Sequence, residues 1–258
     1  MYPRAIALSE IAWSPVSRKN FKDFCRRLDA NCVRLDERHI HYHIPLPEQP
    51  LGSCDKVVIT GDTAVTFTTS RPMRMVYTLD GSTPTPSSSA YAEPIRVSGN
   101  TIIKIATILP SGKMSRIRTV DVEKQTYAPA VKVEGAKPGL QMKRIKGNYL
   151  KVDQLEWADA AWECANIEGL EQMKIQQKDD AATLRGANNY AAIAEGYINI
   201  PEDGVYYLSS RLEQVWIDNK LMISNEGDVK AGTNHDTSVA LAKGLHPFKA
   251  VSYTHLRA

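Results

Sequence analysis

No apolar run in the sequence approaches the roughly 20 residues that a membrane-crossing helix needs. Neither sign of charge is in excess: 32 basic and 29 acidic side chains leave a formal +3, spread along all 258 residues. No basic cluster is dense enough to follow a phosphate backbone. A helical membrane span and a nucleic-acid partner are therefore not expected. Cysteine is scarce, at positions 25, 32, 54 and 164, and the spacing holds no C-x-x-C pair and no zinc-ribbon pattern. Cys25 and Cys32 lie seven apart in a helical pattern, which suits small buried hydrophobes better than ligands. The opening Met1-Tyr2-Pro3-Arg4-Ala5 carries no signal-type apolar core. Taken literally, that start implies a cytoplasmic protein; the literal reading fails if Met1 is an internal methionine of a longer one.

Three compositional stretches follow one another. Residues 1–43 read as helical. Ala5, Ile6, Leu8, Ile11 and Ala12 recur at helical spacing until Trp13 and Ser14-Pro15 close the segment. A second helix places Phe21, Phe24, Cys25 and Leu28 on one face, and a third short stretch carries Val33 and Leu35 toward Ile40. Three prolines at 45, 47 and 50 then make a stiff connector and a domain boundary. From 55 to 126 the period changes to two, in β-branched and aromatic runs such as Arg74-Met75-Val76-Tyr77-Thr78-Leu79. Asp80-Gly81-Ser82 and Pro110-Ser111-Gly112 supply turns, and a small antiparallel sandwich is expected. Beyond 127 periodicity is weak until Ile198 to Leu208, which reads as strand, Asp-Gly turn, strand. Gln214 to Ile223 reads as a further hairpin turning at Asp218-Asn219.

Three stretches resemble one known architecture. Tyr2-Pro3-Arg4-Ala5-Ile6-Ala7-Leu8-Ser9-Glu10-Ile11-Ala12-Trp13-Ser14-Pro15, then Phe21 to Leu28, Arg34-Leu35-Asp36 and Tyr42-His43-Ile44-Pro45, resemble the last barrel helices and exit of family 20 glycoside hydrolases. Tyr77-Thr78-Leu79-Asp80-Gly81-Ser82-Thr83-Pro84 resembles the signature of the chitobiase/β-hexosaminidase C-terminal domain. Gly196-Tyr197-Ile198 through Tyr207, with Val215-Trp216-Ile217-Asp218 and Leu241 to His246, resembles the β-sandwich module named after anthrax protective antigen. The resemblance implies a mainly β chain: two small antiparallel β-sandwich domains preceded by a short α-helical remnant of a (β/α)8 barrel. Its expected parts are residues 1–47, the last helices of the catalytic barrel; 55–126, the hexosaminidase C-terminal sandwich; and 127–250, the protective-antigen-like sandwich. Residues 251–258 read like a translated sequencing adapter, a non-native tail outside the fold. In many modules of the last type an Asp-Asp pair helps hold calcium at a sugar site. Ser210-Arg211 stand at the matching positions, which puts such sugar capture in doubt.

Family 20 resemblance implies an exo-β-N-acetylhexosaminidase parent that uses the substrate's own acetamido group as nucleophile. Its Asp-Glu pair lies on a mid-barrel strand of a barrel of about 250 residues. Residues 1–47 supply only the end of such a barrel, so no catalytic residue is expected here, nor any cofactor or metal. Asp36-Glu37 is adjacent but sits in a charged post-helical stretch beside Arg34 and Arg38, and Glu10 reads as a structural carboxylate. His39, His41 and His43 alternate, as zinc ligands on a strand would, yet lack a recognisable carboxylate or fourth ligand. Trp157, Trp162, Tyr190 and Tyr91 are the carbohydrate-contact candidates, with core packing as the plainer reading of each; Trp216 reads as core. The expected partners are the catalytic barrel of the same parent chain and glycans, in the periplasm, at the cell surface or in secreted form. A stand-alone carbohydrate-binding or adhesion module is the competing function, and spacer domains a third. The apolar faces of residues 1–43 favour the first, because they need a barrel to bury against.

Overall fold

Proline and asparagine set the helices at the N-terminal end. The first helix, α1 (Arg4–Trp13), stops where Pro15 forces Ser14 into extended backbone. The second, α2 (Phe21–Glu37), starts at Asn20, whose side chain accepts a 3.0 Å hydrogen bond from the Asp23 amide. A 3-10 turn at Val16–Arg18 joins them. The break expected between residues 28 and 33 does not exist. Asp29-Ala30-Asn31 holds no helix breaker, so Val33 and Leu35 belong to the same 17-residue helix. It ends at His39, whose φ of 55° turns the chain. Cys25, Leu28 and Cys32 form its buried face, and Cys32 packs with Ile44 and Leu109.

The computed structural model describes residues 2–51, 54–147, 149, 151–161, 163–165, 190–225 and 235–253. It divides into two units, Met1–Lys124 and Gln125–Ala258. In the first, seven strands follow the helices: β1 (Lys56–Ile59), β2 (Thr63–Val65), β3 (Arg74–Thr78), β4 (Ser89–Ala90), β5 (Ile95–Val97), β6 (Thr101–Ile108) and β7 (Arg118–Lys124). They make a five-stranded sheet in the order β1-β7-β6-β3-β4 and a ribbon, β2-β5. Ile103, Ile105, Val120 and Val122 from the sheet meet Val65, Ile95 and Val97 from the ribbon in one core. This is the expected sandwich with one difference: β1 and β7 pair parallel. The cause is that β1 passes its chain to the ribbon instead of turning back in a hairpin. Gly81, at φ 75°, closes the turn after β3, with Asp80 accepting from the Ser82 amide.

The second unit holds β8 (Leu140–Lys146), β9 (Glu163–Ala165), β10 (Tyr190–Ile200), β11 (Gly204–Ser210), β12 (Gln214–Ile217), β13 (Lys220–Ser224), β14 (His235–Leu241) and β15 (Gly244–Tyr253). A six-stranded sheet runs β13-β12-β15-β10-β8-β9, and β11 pairs with β14 in a second sheet. Ala192, Ala194, Val215, Ile217 and Phe248 of the larger sheet meet Val239 and Leu241 of the smaller. The hairpin at Asp218-Asn219 forms as expected, with both residues at positive φ. The strand–turn–strand at 198–208 is not a hairpin. β10 pairs with β15 and β8, whereas β11 crosses to the other sheet, so the short connection at 201–203 spans the sandwich edge. β8 escaped the period-two reading because Met142 is its one buried residue.

β15 runs past the expected boundary at 250. Val251 and Tyr253 are 1% and 4% exposed and share a cluster with Leu155, Ala191 and Ile193 on the outer face of the larger sheet. Residues 251–253 thus continue β15, while 254–258 lie outside the described residues. Replacing Tyr253 by Ala should destabilise the second unit by about 3 kcal/mol in urea unfolding, the usual cost of emptying a buried aromatic site. An unchanged midpoint would return these residues to the status of a tail.

Candidate functional site

Helix α1 buries none of its ten residues. Leu8 is 67% exposed, Ile11 63% and Trp13 87%, and Val16 and Phe21 beyond it are as open. A helix this short is marginal in water by itself. Polar contacts hold it in place. The Arg27 guanidinium donates to both carboxylate oxygens of Glu10, at 2.7 and 3.0 Å, and through Nε to Asp23 at 2.8 Å. Lys19 Nζ caps the Ile11 carbonyl at 3.0 Å. The Arg27 hydrogen bonds hold the Glu10 and Asp23 carboxyls below their ordinary values. Glu10 is therefore a structural clamp, as its helical setting implies. α1 thus leaves three large apolar side chains exposed beside Arg4 and Ser9, and exposed apolar surface is where association takes place.

The other side of α2 is tied to the first sandwich. Arg71, 8% exposed, donates to Asp29 at 2.6 Å. Asp36 accepts from Lys113 and, at 2.7 Å, from the Tyr42 hydroxyl, and Lys113 also lies over the Tyr42 ring. These bonds lower the Asp36 carboxyl, Lys113 contributing most. Asp36 is committed to holding α2, and Glu37 is exposed at the helix end. A cleft of about 400 Å³ lies beside them, lined by Met73, Pro86, Ile108, Leu109 and Asp29. The Asp29 carboxylate faces Arg71, and Arg74 is the other charged residue on a wall that is otherwise mostly apolar.

Of the four aromatic candidates, Tyr91 and Trp157 have described side chains. Tyr91 belongs to the first unit; its hydroxyl accepts from the Phe67 amide at 2.8 Å, and its ring stands edge-on to Phe67 and Tyr77. Trp157 belongs to the second, half-buried against the outer-face cluster. Trp162 and the Tyr190 side chain lie outside the described residues. Trp216 does not enter the inter-sheet core. It points to the outer face, half-buried, with Lys249 Nζ 4.5 Å from its ring centre. His39, His41 and His43 are exposed and in no strand. No group of three His, Cys, Asp or Glu residues placed for a metal occurs among the described residues.

Comparison with known proteins gives the helices and sandwiches their setting. Residues 58–119 match the chitobiase/beta-hexosaminidase C-terminal domain family, and residues 172–257 match the PA14 domain family. Over 97% of its length the chain is 43% identical to a beta-hexosaminidase of Porphyromonas gingivalis. The chain is related to the C-terminal part of β-hexosaminidases. It spans 32% of that relative, about a third. Two solved anti-sigma factor domain-containing proteins, one from Clostridium clariflavum, align at 11% and 13% identity. They cover 82% and 72% of this chain and 73% and 67% of their own, and TM-scores of 0.34 and 0.32 carry no argument.

One end of the hexosaminidase-related chain's PA14-type sandwich collects buried polar groups that composition and periodicity did not reveal. Glu213 and Asn225 are 6% and 7% exposed. Glu213 accepts from the Tyr253 amide at 3.1 Å. Asn225 Nδ2 donates to the carbonyls of Ser210 and Leu212 at 2.9 and 2.7 Å, and its amide donates to the Glu213 carbonyl at 2.7 Å. The Ser210 hydroxyl accepts from the Leu212 amide at 3.1 Å. Farther along, buried His246 directs Nδ1 at Asp218, 2.9 Å away, and Nε2 at the Ala242 carbonyl, which pins the β12–β13 turn to β15.

Arg71→Ala should cost the first unit about 3 kcal/mol in urea unfolding, the low end for breaking a buried pair because Asp29 keeps some water. The α1 clamp should fail in acid. Carboxyls held below their ordinary values stabilise the fold above the ordinary carboxylate range, and that support is lost as pH falls through the lowered values. Hydrogen-exchange protection of the α1 amides should drop between about pH 5 and pH 2, as the lowered carboxyls take up protons, and Arg27→Gln should remove the drop.

Proposed function

We propose that this chain is the accessory C-terminal region of an exo-β-N-acetylhexosaminidase, a glycoside hydrolase that removes terminal N-acetylhexosamine from glycans. In this reading α1 and α2 are the last helices of the catalytic barrel, and the sandwiches buttress that barrel or hold the enzyme near glycans. The chain itself carries no catalytic Asp-Glu pair and works outside the cytoplasm: in the periplasm, at the cell surface or secreted. The observation that carries the proposal is the exposure of Leu8, Ile11 and Trp13 on a helix that buries nothing. A stand-alone binder has no use for such a helix. A barrel preceding it in the parent chain supplies the missing surface, and the 43% identity to one third of a β-hexosaminidase supports that placement.

The test is hydrolysis of a chromogenic N-acetyl-β-glucosaminide. The chain alone should give no turnover, and the same chain extended by the parent's preceding residues should be active. Ile11→Asp should leave the melting temperature of the isolated chain unchanged, yet reduce active extended enzyme at least tenfold. Turnover by the isolated chain would sink the proposal. Binding of N-acetylglucosamine oligomers by the chain alone, with an inactive extended protein, would favour the stand-alone binder.

A further inference from the structure

We infer that the open half of the larger sheet's outer face in the second unit, around Tyr197, Glu195 and Lys249, binds an uncharged glycan bearing N-acetylhexosamine. The inference deepens the reading in which this region holds an enzyme near glycans, and it rests on that reading for the choice of sugar.

Alternation and register decide which side chains share this face. Ala194, Val215, Ile217, Phe248 and Ala250 point into the core between the sheets, so their neighbours in sequence point the other way. Cross-strand pairing then sets Leu221, Trp216, Lys249, Glu195 and Gln141 in one row over β13, β12, β15, β10 and β8. Tyr197 stands opposite Pro247 in the next row. The face has two unlike halves. One carries Ala191, Ile193 and Val251, and the chain itself covers it with Val152, Leu155 and Trp157. On the other half Tyr197 stays 44% exposed and Leu221 46%, with Glu195, Trp216 and Lys249 half-buried.

The chemistry of the open half matches a sugar. Tyr197 lies two residues along β10 from Glu195, about 7 Å, and one ladder step of about 5 Å separates Glu195 from Lys249. Those three side chains thus span the footprint of a single pyranose ring. The electron-rich face of a tyrosine receives the C–H groups of such a ring, and a stiff side chain gives up little freedom in doing so. Trp216 steadies the Lys249 ammonium, which lies 4.5 Å from its ring centre. Glu195 and Lys249 set an acceptor beside a donor, and an acetamide offers the N–H and the C=O that answer them. One carboxylate against one ammonium leaves the patch near neutral, which favours an uncharged ligand over a phosphate-bearing one.

Calorimetric titration of the intact chain with N-acetylglucosamine oligomers should show binding, and glucose oligomers of equal length should bind about tenfold more weakly. Tyr197→Ala and Glu195→Gln should each lower affinity about tenfold or more. Neither should move the melting temperature, because neither side chain belongs to a core cluster. Tyr197→Phe, which keeps the ring, should bind like the unsubstituted chain. No binding at millimolar sugar, or binding that survives Tyr197→Ala, would overturn the inference, and equal binding of glucose oligomers would overturn the role given to the acetamide. Should Tyr197→Ala fail to fold, Glu195→Gln gives the same decision. The hydrolase reading fails separately, through an extended protein without turnover, whatever the chain alone binds.

Discussion

The buried pair between Arg71 and Asp29 fixes the relation of helix to sheet in the first unit. A guanidinium that is 8% exposed needs a carboxylate, and the one it meets lies on α2, 42 residues earlier in the chain. With Cys32 packed on Leu109 and Asp36 held by Lys113 and Tyr42, α2 can take only one seat on the sandwich. Its far side holds α1 through Arg27. The two sides differ in kind. Toward the sandwich α2 offers burial and shielded charge; toward α1 it offers an exposed ion-pair network, worth little alone because solvent screens it. α1, with Leu8, Ile11 and Trp13 exposed, is thus held mainly by screened charge.

The second unit depends on crossings rather than hairpins. Four of its connections, β10 to β11, β11 to β12, β13 to β14 and β14 to β15, carry the chain from one sheet to the other. Each crossing strips carbonyls of ladder partners at an end of the sandwich, where buried side chains take over: Asn225 and Glu213 at one site, His246 with Asp218 at another. Polar burial here is a consequence of topology.

Period and punctuation in the sequence settled much of this architecture. Pro15 and Asn20 placed the helix ends, the three prolines at 45–50 marked the connector, and Asp80-Gly81 and Asp218-Asn219 fixed turns through backbone geometry that few other residues adopt. These signals are local, so a single sequence carries them. Family motifs added what composition could not: the kinship of residues 58–119 and 172–257. Partner choice was left to the tertiary structure. Nothing in Ile198 to Leu208 says that its two strands part company between sheets, nor that Trp216 faces outward, nor that β8 with its single buried residue is a strand at all. The carboxylates show the same division. Glu10 was legible as structural from its helical setting and Asp36 from its charged surroundings, but Arg27 and Lys113, which use them, lie 17 and 77 residues away. Asn225 and Glu213 carried no signal at all, because burial of a polar side chain is decided by which backbone groups a long-range crossing leaves unpaired.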